Sequence, residues 1–428
     1  MYYVVLLYTT LAAERFDMSK LLMPNADEHV PIKLNGWSHP ILSMAFRPLF
    51  LMAGFGSIVT LIVWLGVLFG ELPHSKLLLT PVVWHGHEMI FAFAATVAAG
   101  FLLTAVQTWT GQKTLAPPHL VGLVIVWLVI RISFWCGDAE QIYLIISLQA
   151  LWWLWVIVQF SLPIILTRNR RNYVFIGLLS VLMSANLAAL IADVMGKVDL
   201  ALHIMRTCVL LFTILIALLG GRVIPFFTRS GCARHGVVVG ELSAPKWLEQ
   251  LLSWMAVTGA LSFFLSYFFT LPINTGVWLL LVGCLHFVRM MFWHSHKVGA
   301  IALLWSLHLA YLFLAVGLIL LGSSYFHSLF SFSASLHVIT LGAIGLMILS
   351  MMSRVSLGHT GRLLVVRSVI SLAFLLLLMA AISRFVLSVF NLHPLAWVVS
   401  ACLWSIAFAL FCVVYFPILT QPRQSLSN

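Results

Sequence analysis

The chain has 428 residues, of which 62% are apolar and 8% are charged. Soluble domains carry about 25% charged residues, so this composition excludes an ordinary soluble fold and favours a polytopic membrane protein. The net charge is +11, yet the basic residues stand singly between apolar runs, which argues against nucleic-acid binding. No two of the six cysteines have C-x-x-C spacing, which excludes covalently attached haem, a zinc knuckle and an iron–sulfur motif.

Twelve apolar segments follow one another along the chain, each about as long as a membrane-spanning helix needs to be. They predict an all-α, polytopic membrane bundle of about twelve transmembrane helices over residues 44–419. An N-terminal cytoplasmic segment (1–43) and a C-terminal tail (420–428) flank it. The predicted segments are 44–70, 84–108, 119–136, 142–167, 172–195, 200–219, 246–270, 275–293, 298–321, 326–352, 363–389 and 394–419.

The distribution of basic residues predicts the orientation of the bundle, because Lys and Arg accumulate on the cytoplasmic side of membrane proteins. If the N-terminus is inside, 18 of the 23 basic residues fall on the inner side and 5 on the outer side. We therefore expect both termini to face the cytoplasm. The five outer residues are Lys76, Arg131, Lys197, Arg206 and Arg384.

Ionisable side chains inside a membrane are costly and usually functional, so the depth of each histidine matters. His85, His87 and His203 are predicted within about two turns of an outer helix end. His286, His308 and His337 are predicted roughly 14–16 Å from a helix end, near the membrane midplane.

The stretch WHGHEM (84–89) begins the second segment. On a helix, His85 and His87 point about 200° apart, so we expect their rings to serve different partners. His85 and Met89 share a helical face, and an imidazole with a thioether suits copper. Glu88 is placed to orient a ligating ring. The alternative is a polar cap at the membrane interface.

Other polar residues in the segments are candidates for cofactor binding. Trp305, His308 and Tyr311 fall on one helical face, and either line a cavity or pack with His308 bonded to a neighbouring helix. His203 and Arg206 share a face, on which Arg206 can bind a haem propionate, Asp199 or Asp193.

His337 precedes two glycines, Gly342 and Gly345, in the tenth segment. An axial imidazole beside a groove without Cβ atoms fits a haem, and a tight contact between helices is the alternative. The runs GGRVIPFFTR and SRVSLGHTGR are expected at a helix end and in a linker. They form an anion site or fix the topology, through Arg222, Arg354, His359 and Arg362.

Several stretches resemble the NnrS family of bacterial membrane proteins. The resemblance implies a twelve-helix inner-membrane protein that is associated with haem and copper and acts in nitric oxide metabolism or nitrosative stress tolerance. The matching stretches are FRPLF (46–50), WHGHEM (84–89), GFLLTAV (100–106), GGRVIPFFT (220–228), WSLHLAY (305–311) and the run from His337 to Arg362.

Our leading hypothesis is a protein of the bilayer that holds haem b non-covalently, binds copper, and binds or processes nitric oxide. His337 and either His85 or His87 are the first candidates for axial ligands. His203, His308 and Met89 follow as ligands of copper or of a second haem. The residues do not decide between binding and turnover, and they do not identify an electron donor.

Two other hypotheses remain. One is a transporter with a histidine relay for protons or metal. The other is a relative of haem–copper nitric oxide reductases, although segment 246–270 contains no histidine.

Overall fold

A computed structural model describes residues 38–73, 77–113, 115–136 and 139–424. In this part of the chain all regular structure is helical, which confirms the all-α prediction. Twelve long helices correspond one to one with the predicted segments. They are α1 (Phe46–Leu68), α2 (Pro81–Thr110), α3 (Pro117–Cys136), α4 (Ile142–Leu166), α5 (Tyr173–Val194), α6 (Val198–Arg234), α7 (Lys246–Leu265), α8 (Thr275–Met291), α9 (Ala302–Ser323), α10 (Phe332–His359), α11 (Ser368–Val389) and α12 (His393–Thr420).

Eleven of the described helices are long and apolar enough to cross a membrane. The twelfth, α8, has 17 residues, which at a rise of about 1.5 Å per residue gives a length close to the lower limit for a spanning helix. The chain is therefore a multi-pass helical membrane protein. The orientation of its termini stays a prediction.

Two predicted helix ends are wrong. Helix α6 continues to Arg234, so the run GGRVIPFFTR and Pro225 lie inside it. A proline inside a membrane helix is tolerated where neighbouring groups satisfy the freed backbone. Helix α10 continues to His359, so Arg354 lies in the helix and only the end of SRVSLGHTGR forms a linker.

The predicted distances of three histidines from their helix ends are too long, because the helices begin and end at other residues. Helix α9 begins at Ala302 and α10 at Phe332, which places His308 about 9 Å and His337 about 7.5 Å from their helix starts. His286 lies five residues before the end of α8. Apolar residues continue across these helix boundaries, so hydropathy alone misplaces them.

The described chain divides into two compact units. The N-terminal unit comprises residues 38–205, 354–364 and 412–424, and the C-terminal unit comprises residues 206–353 and 365–411. In the N-terminal unit, α2 packs against both α1 and α4, and α4 packs against α3 and α5.

In the C-terminal unit, α8 and α9 pack extensively against each other. A Cβ atom on Gly276 would lie 2.6 Å from the carbonyl oxygen of Gly322, and a Cβ atom on Gly322 would lie 2.6 Å from the carbonyl oxygen of Gly276. Small residues allow this close approach of backbones in membrane helices.

Helices α2 and α10 share an unusual construction. Each begins with a short α-helical part that ends at a histidine, His87 or His337. A π-helical segment follows directly, Glu88–Ala94 in α2 and Val338–Gly345 in α10. π-helical segments are rare and occur frequently at functional sites.

This likeness extends to the helix ends and to the neighbouring helices. Gly111 follows His87 by 24 residues, and Gly361 follows His337 by 24 residues. Both glycines end their helices in the left-handed region, with φ values of 68° and 73°. Helices α3 and α11 start 251 residues apart, as do α4 and α12. The spacing of α2–α4 along the chain thus recurs in α10–α12.

Candidate functional site

The candidate site lies in the N-terminal unit, at the start of the π-helical segment of α2. His87 is 0% exposed and Glu88 is 1% exposed. The His87 Nδ1 atom lies 3.2 Å from Glu88 Oε1. Two neighbouring residues of one helix thus form a buried imidazole–carboxylate pair.

Arg131 of α3 completes a charge pair with this carboxylate. Its Nη1 atom donates to Glu88 Oε1, and its side chain is as deeply buried as its partner. The guanidinium also lies 5.6 Å from the ring centre of Trp127 and 5.2 Å from that of Phe134. A buried carboxylate without such a partner would be strongly destabilising.

The other ring nitrogen of His87 faces two amide side chains. Nε2 lies 3.2 Å from both Asn186 Oδ1 and Gln149 Nε2. A neutral imidazole donates from one nitrogen and accepts at the other. With Glu88 as acceptor, the favoured tautomer carries its proton on Nδ1, so Nε2 accepts from Gln149. The Nε2 lone pair is then the ligand-type position of the ring.

Four buried polar atoms on α2, α3 and α4 have no hydrogen-bond partner in the described part of the protein. They are Glu88 Oε2, Arg131 Nε, Trp84 Nε1 and Trp152 Nε1. Trp84 lies one turn before Glu88 on α2, and Trp152 lies three residues after Gln149 on α4. Buried polar atoms are nearly always hydrogen-bonded. The three donors and the one acceptor are therefore each able to bind a group that the described residues do not supply.

The second histidine of WHGHEM has different surroundings. The ring of His85 stacks on Trp64, with ring centres 4.5 Å apart and an angle of 13° between the planes. The two rings therefore serve different partners, as the helical angle predicts. The Glu88 carboxylate bonds to His87. Met89 is half-buried.

Helices α2 and α6 meet beside this motif. A Cβ atom on Gly86 would lie 3.8 Å from Met205, two residues beyond the buried His203. Arg206 falls in the C-terminal unit, where its guanidinium lies 5.3 Å from the ring centre of Phe332. The carboxylate of Asp193 accepts instead from the backbone N–H of Thr80, at 2.9 Å.

A second buried polar network lies in the C-terminal unit. The Tyr311 hydroxyl lies 2.8 Å from His286 Nδ1 and accepts from Arg289 Nη1 at 2.9 Å. Arg289 also binds the Glu249 carboxylate through Nε and Nη2. A Cβ atom on Gly221 would overlap the Arg289 guanidinium. This overlap is a packing reason for one of the two glycines inside α6.

The three residues predicted on one helical face each contact a different neighbour. They are Trp305, His308 and Tyr311. His308 Nε2 lies 2.8 Å from Thr228 Oγ1, and His308 Nδ1 lies 2.8 Å from Ser295 Oγ. Trp305 packs on Phe374. His308 thus takes the alternative left open by the sequence, a polar contact with neighbouring elements.

His337 is half-buried, and its Nδ1 donates to the Ser333 carbonyl at 2.7 Å. Its Nε2 is therefore the ligand-type nitrogen, as in His87. The space beside Gly342 is filled by Phe313, and the space beside Gly345 by Trp404. The glycines thus serve a tight contact between helices.

The predicted inner-face residues divide between two helices and a linker. Arg222 is half-buried within α6, and Arg354 is buried within α10. His359 ends α10 and lies 5.7 Å from the ring centre of Phe46. Arg362 follows α10 and donates to Gln421 Oε1 at 2.9 Å.

Four polar residues of the two networks were not identified as site residues from the sequence. Gln149 and Asn186 are isolated polar residues in apolar helices, and so is Arg131; Glu249 lies at the start of α7. Intramembrane polar residues mark functional or partnered positions by default, so their isolation was the available signal. Within the described ranges, no three His, Cys, Asp or Glu side chains come together as metal ligands would.

These features define a multi-pass helical membrane protein with a buried histidine–carboxylate–arginine cluster next to a π-helical segment. The profile of the family described as NnrS protein matches residues 40–423. The chain belongs to this family. No protein with a curated description matches it.

Proposed function

We propose that this protein binds haem and copper in the bacterial inner membrane and acts in nitric oxide metabolism or in tolerance of nitrosative stress. The observation that carries the haem part is the buried His87, whose Nδ1 is held by Glu88. A carboxylate behind an imidazole fixes the ring and its tautomer and makes the other nitrogen a better ligand. This is the arrangement expected of an axial haem ligand.

His337 supports the same proposal. It occupies the position in α10 that His87 occupies in α2, directly before a π-helical segment. In both residues Nδ1 donates a hydrogen bond, so Nε2 carries the lone pair; in His87 a haem iron would replace the Gln149 amide at this nitrogen. Because a haem needs only one or two protein ligands, single imidazoles are sufficient, and each of these residues is proposed as one.

Only membership of the NnrS family supports the copper part of the proposal. The described residues assemble no group of three His, Cys, Asp or Glu ligands, and His85 lies against Trp64. We therefore assign no mechanistic step to copper.

The proposed roles of the chain's own residues follow from the site. Glu88 holds the Nδ1 proton of His87, and Arg131 balances the carboxylate charge. Most of helix α2 is buried. This burial keeps water away from the cluster. A small uncharged ligand such as nitric oxide can enter such a site from the lipid. Ferrous haem, when bound, would supply the iron that binds nitric oxide.

The orientation and compartment belong to the same proposal. The 18 to 5 division of basic residues supports a bundle with both termini in the cytoplasm. Fusing a reporter to the C-terminus that is active only in the cytoplasm tests this. Activity only from a periplasmic reporter would contradict it.

The test of haem binding is a reduced-minus-oxidised spectrum of the protein purified in detergent, with iron and copper measured per chain. We expect a haem b spectrum in the wild type. We also expect loss of haem or an altered spectrum in His87→Ala and in His337→Ala. His327→Ala is the control, because His327 is exposed in a loop. A colourless, metal-free wild type made with ample haem and copper would refute the proposal and favour a transporter.

A further inference from the structure

A cluster of basic side chains lies in the N-terminal unit where α1 begins and where α10 and α12 end. We call Arg47, His359, Arg362 and Arg423 the basic cluster. Arg47 is only 2% exposed. Its Nη1 donates to the Leu419 carbonyl at 3.0 Å and to the Gln421 carbonyl at 2.7 Å. Arg47 therefore caps the end of α12.

Arg362 and Arg47 both donate hydrogen bonds to Gln421. The Nη2 atom of Arg362 donates to the side chain of Gln421, whose backbone carbonyl binds Arg47. Both guanidinium groups therefore contact Gln421.

Arg423, the fourth member of the cluster, lies close to the end of α10. The backbone N–H of Gln424 donates to the Thr360 carbonyl at 2.9 Å. A Cβ atom on Gly361 would lie 3.3 Å from Cγ of Arg423. His359 lies beside Phe46, the residue before Arg47. The four side chains of the cluster therefore lie around the same helix ends.

Within the part of the chain that the structure describes, no carboxylate pairs with the basic cluster. Within the described ranges, the carboxylates in ion pairs are Glu88 and Glu249, and neither belongs to the cluster. The C-terminal ends of α10 and α12 contribute about half a negative charge each. The three guanidinium groups and the two helix ends together therefore carry a net charge of roughly +2. Arg47 Nε, moreover, is buried and has no hydrogen-bond partner among the described residues.

We infer that the basic cluster binds the phosphate group of an anionic membrane lipid. A phosphate supplies one to two negative charges, and guanidinium groups bind it through paired hydrogen bonds. The ends of membrane-length helices lie at headgroup level, where basic pockets between helices bind anionic lipids. Arg362 is half-buried and Arg423 is exposed, so the cluster is continuous from the surface to the buried Arg47.

The test uses the full-length protein, delipidated in detergent, and measures its unfolding temperature during titration. Three additions are compared at constant ionic strength: phosphatidylglycerol, phosphatidylcholine and inorganic phosphate. We expect a saturable rise in Tm with phosphatidylglycerol alone. An equal rise with inorganic phosphate would overturn the lipid assignment, and the absence of a rise with both anions would overturn the site.

Two substitutions locate the effect. Arg362→Gln and Arg423→Gln are each expected to weaken the response to phosphatidylglycerol by about tenfold, because each removes a charge-assisted hydrogen bond. Arg170→Gln is the matched control, since Arg170 is an exposed arginine of the same unit. An equal loss in the control would show nonspecific attraction and overturn the proposal.

The chain's own carboxylates are the competing source of negative charge. Asp27 and Glu28 lie outside the described residues. The variant Asp27→Asn/Glu28→Gln should keep the wild-type response. A response by this variant together with none by the wild type would mean that the N-terminal segment already neutralises the cluster, and the proposal would fall.

Discussion

Replacing Arg131 by Met should destabilise the N-terminal unit strongly. The substitution keeps a side chain of similar length but removes the partner of the Glu88 carboxylate, which is 1% exposed. His87 would be the remaining neighbour bonded to that carboxylate. Breaking a buried ion pair from one side costs about 3–5 kcal/mol, because an uncompensated charge stays behind.

The measurement is thermal unfolding in detergent, followed by circular dichroism. For a unit of about 200 residues, each kcal/mol lowers Tm by about 2–4 °C, so Arg131→Met should lose about 6–20 °C. The matched control is Arg384→Met. Arg384 is also buried, at 7% exposure, but its Nη1 binds Ser388 rather than a carboxylate. The control should lose much less stability.

A double variant isolates the charge pair from the packing of the arginine side chain. Glu88→Gln added to Arg131→Met removes the stranded carboxylate, so we expect it to recover at least half of the lost Tm. If Arg131→Met matches Arg384→Met, or if the double variant recovers nothing, the buried pair does not stabilise the N-terminal unit.

Two further predictions concern the C-terminal unit. Tyr311→Phe should cost about 1–3 kcal/mol, because it leaves His286 Nδ1 and Arg289 Nη1 without the hydroxyl; an unchanged Tm would contradict the network. Gly276→Ala should cost about 1–3 kcal/mol by forcing α8 and α9 apart. Gly177→Ala, for which no atom lies within 4 Å of the added Cβ, should instead gain about 0.5–1 kcal/mol. Equal effects of the two alanines on Tm would refute the packing argument.

The outline of the fold could be predicted because it depends on local composition. Each spanning helix needs about 20 apolar residues, and the twelve apolar segments of the sequence correspond to twelve helices. Helix ends were less predictable. The glycines and Pro225 in α6 have the composition of a helix end, yet the helix continues through them to Arg234.

The candidate site could be predicted only in part. WHGHEM was identified from its unusual ligand-type residues, and the divergence of His85 and His87 followed from helical geometry. Nothing local indicates that the backbone becomes π-helical after His87, because the hydrogen bonds of a π-helix depend on packing. The change in winding alters which side chains of α2 share a face.

The sequence by itself determined that this is a helical membrane protein of the NnrS family, because hydropathy and motifs are properties of consecutive residues. Only the tertiary structure decided the partners. Gln149 and Asn186 come from two helices to contact His87, and Arg131 comes from a third to bind Glu88. A buried charge or amide has to find its partner in space, and spacing along the chain does not specify which helix supplies it.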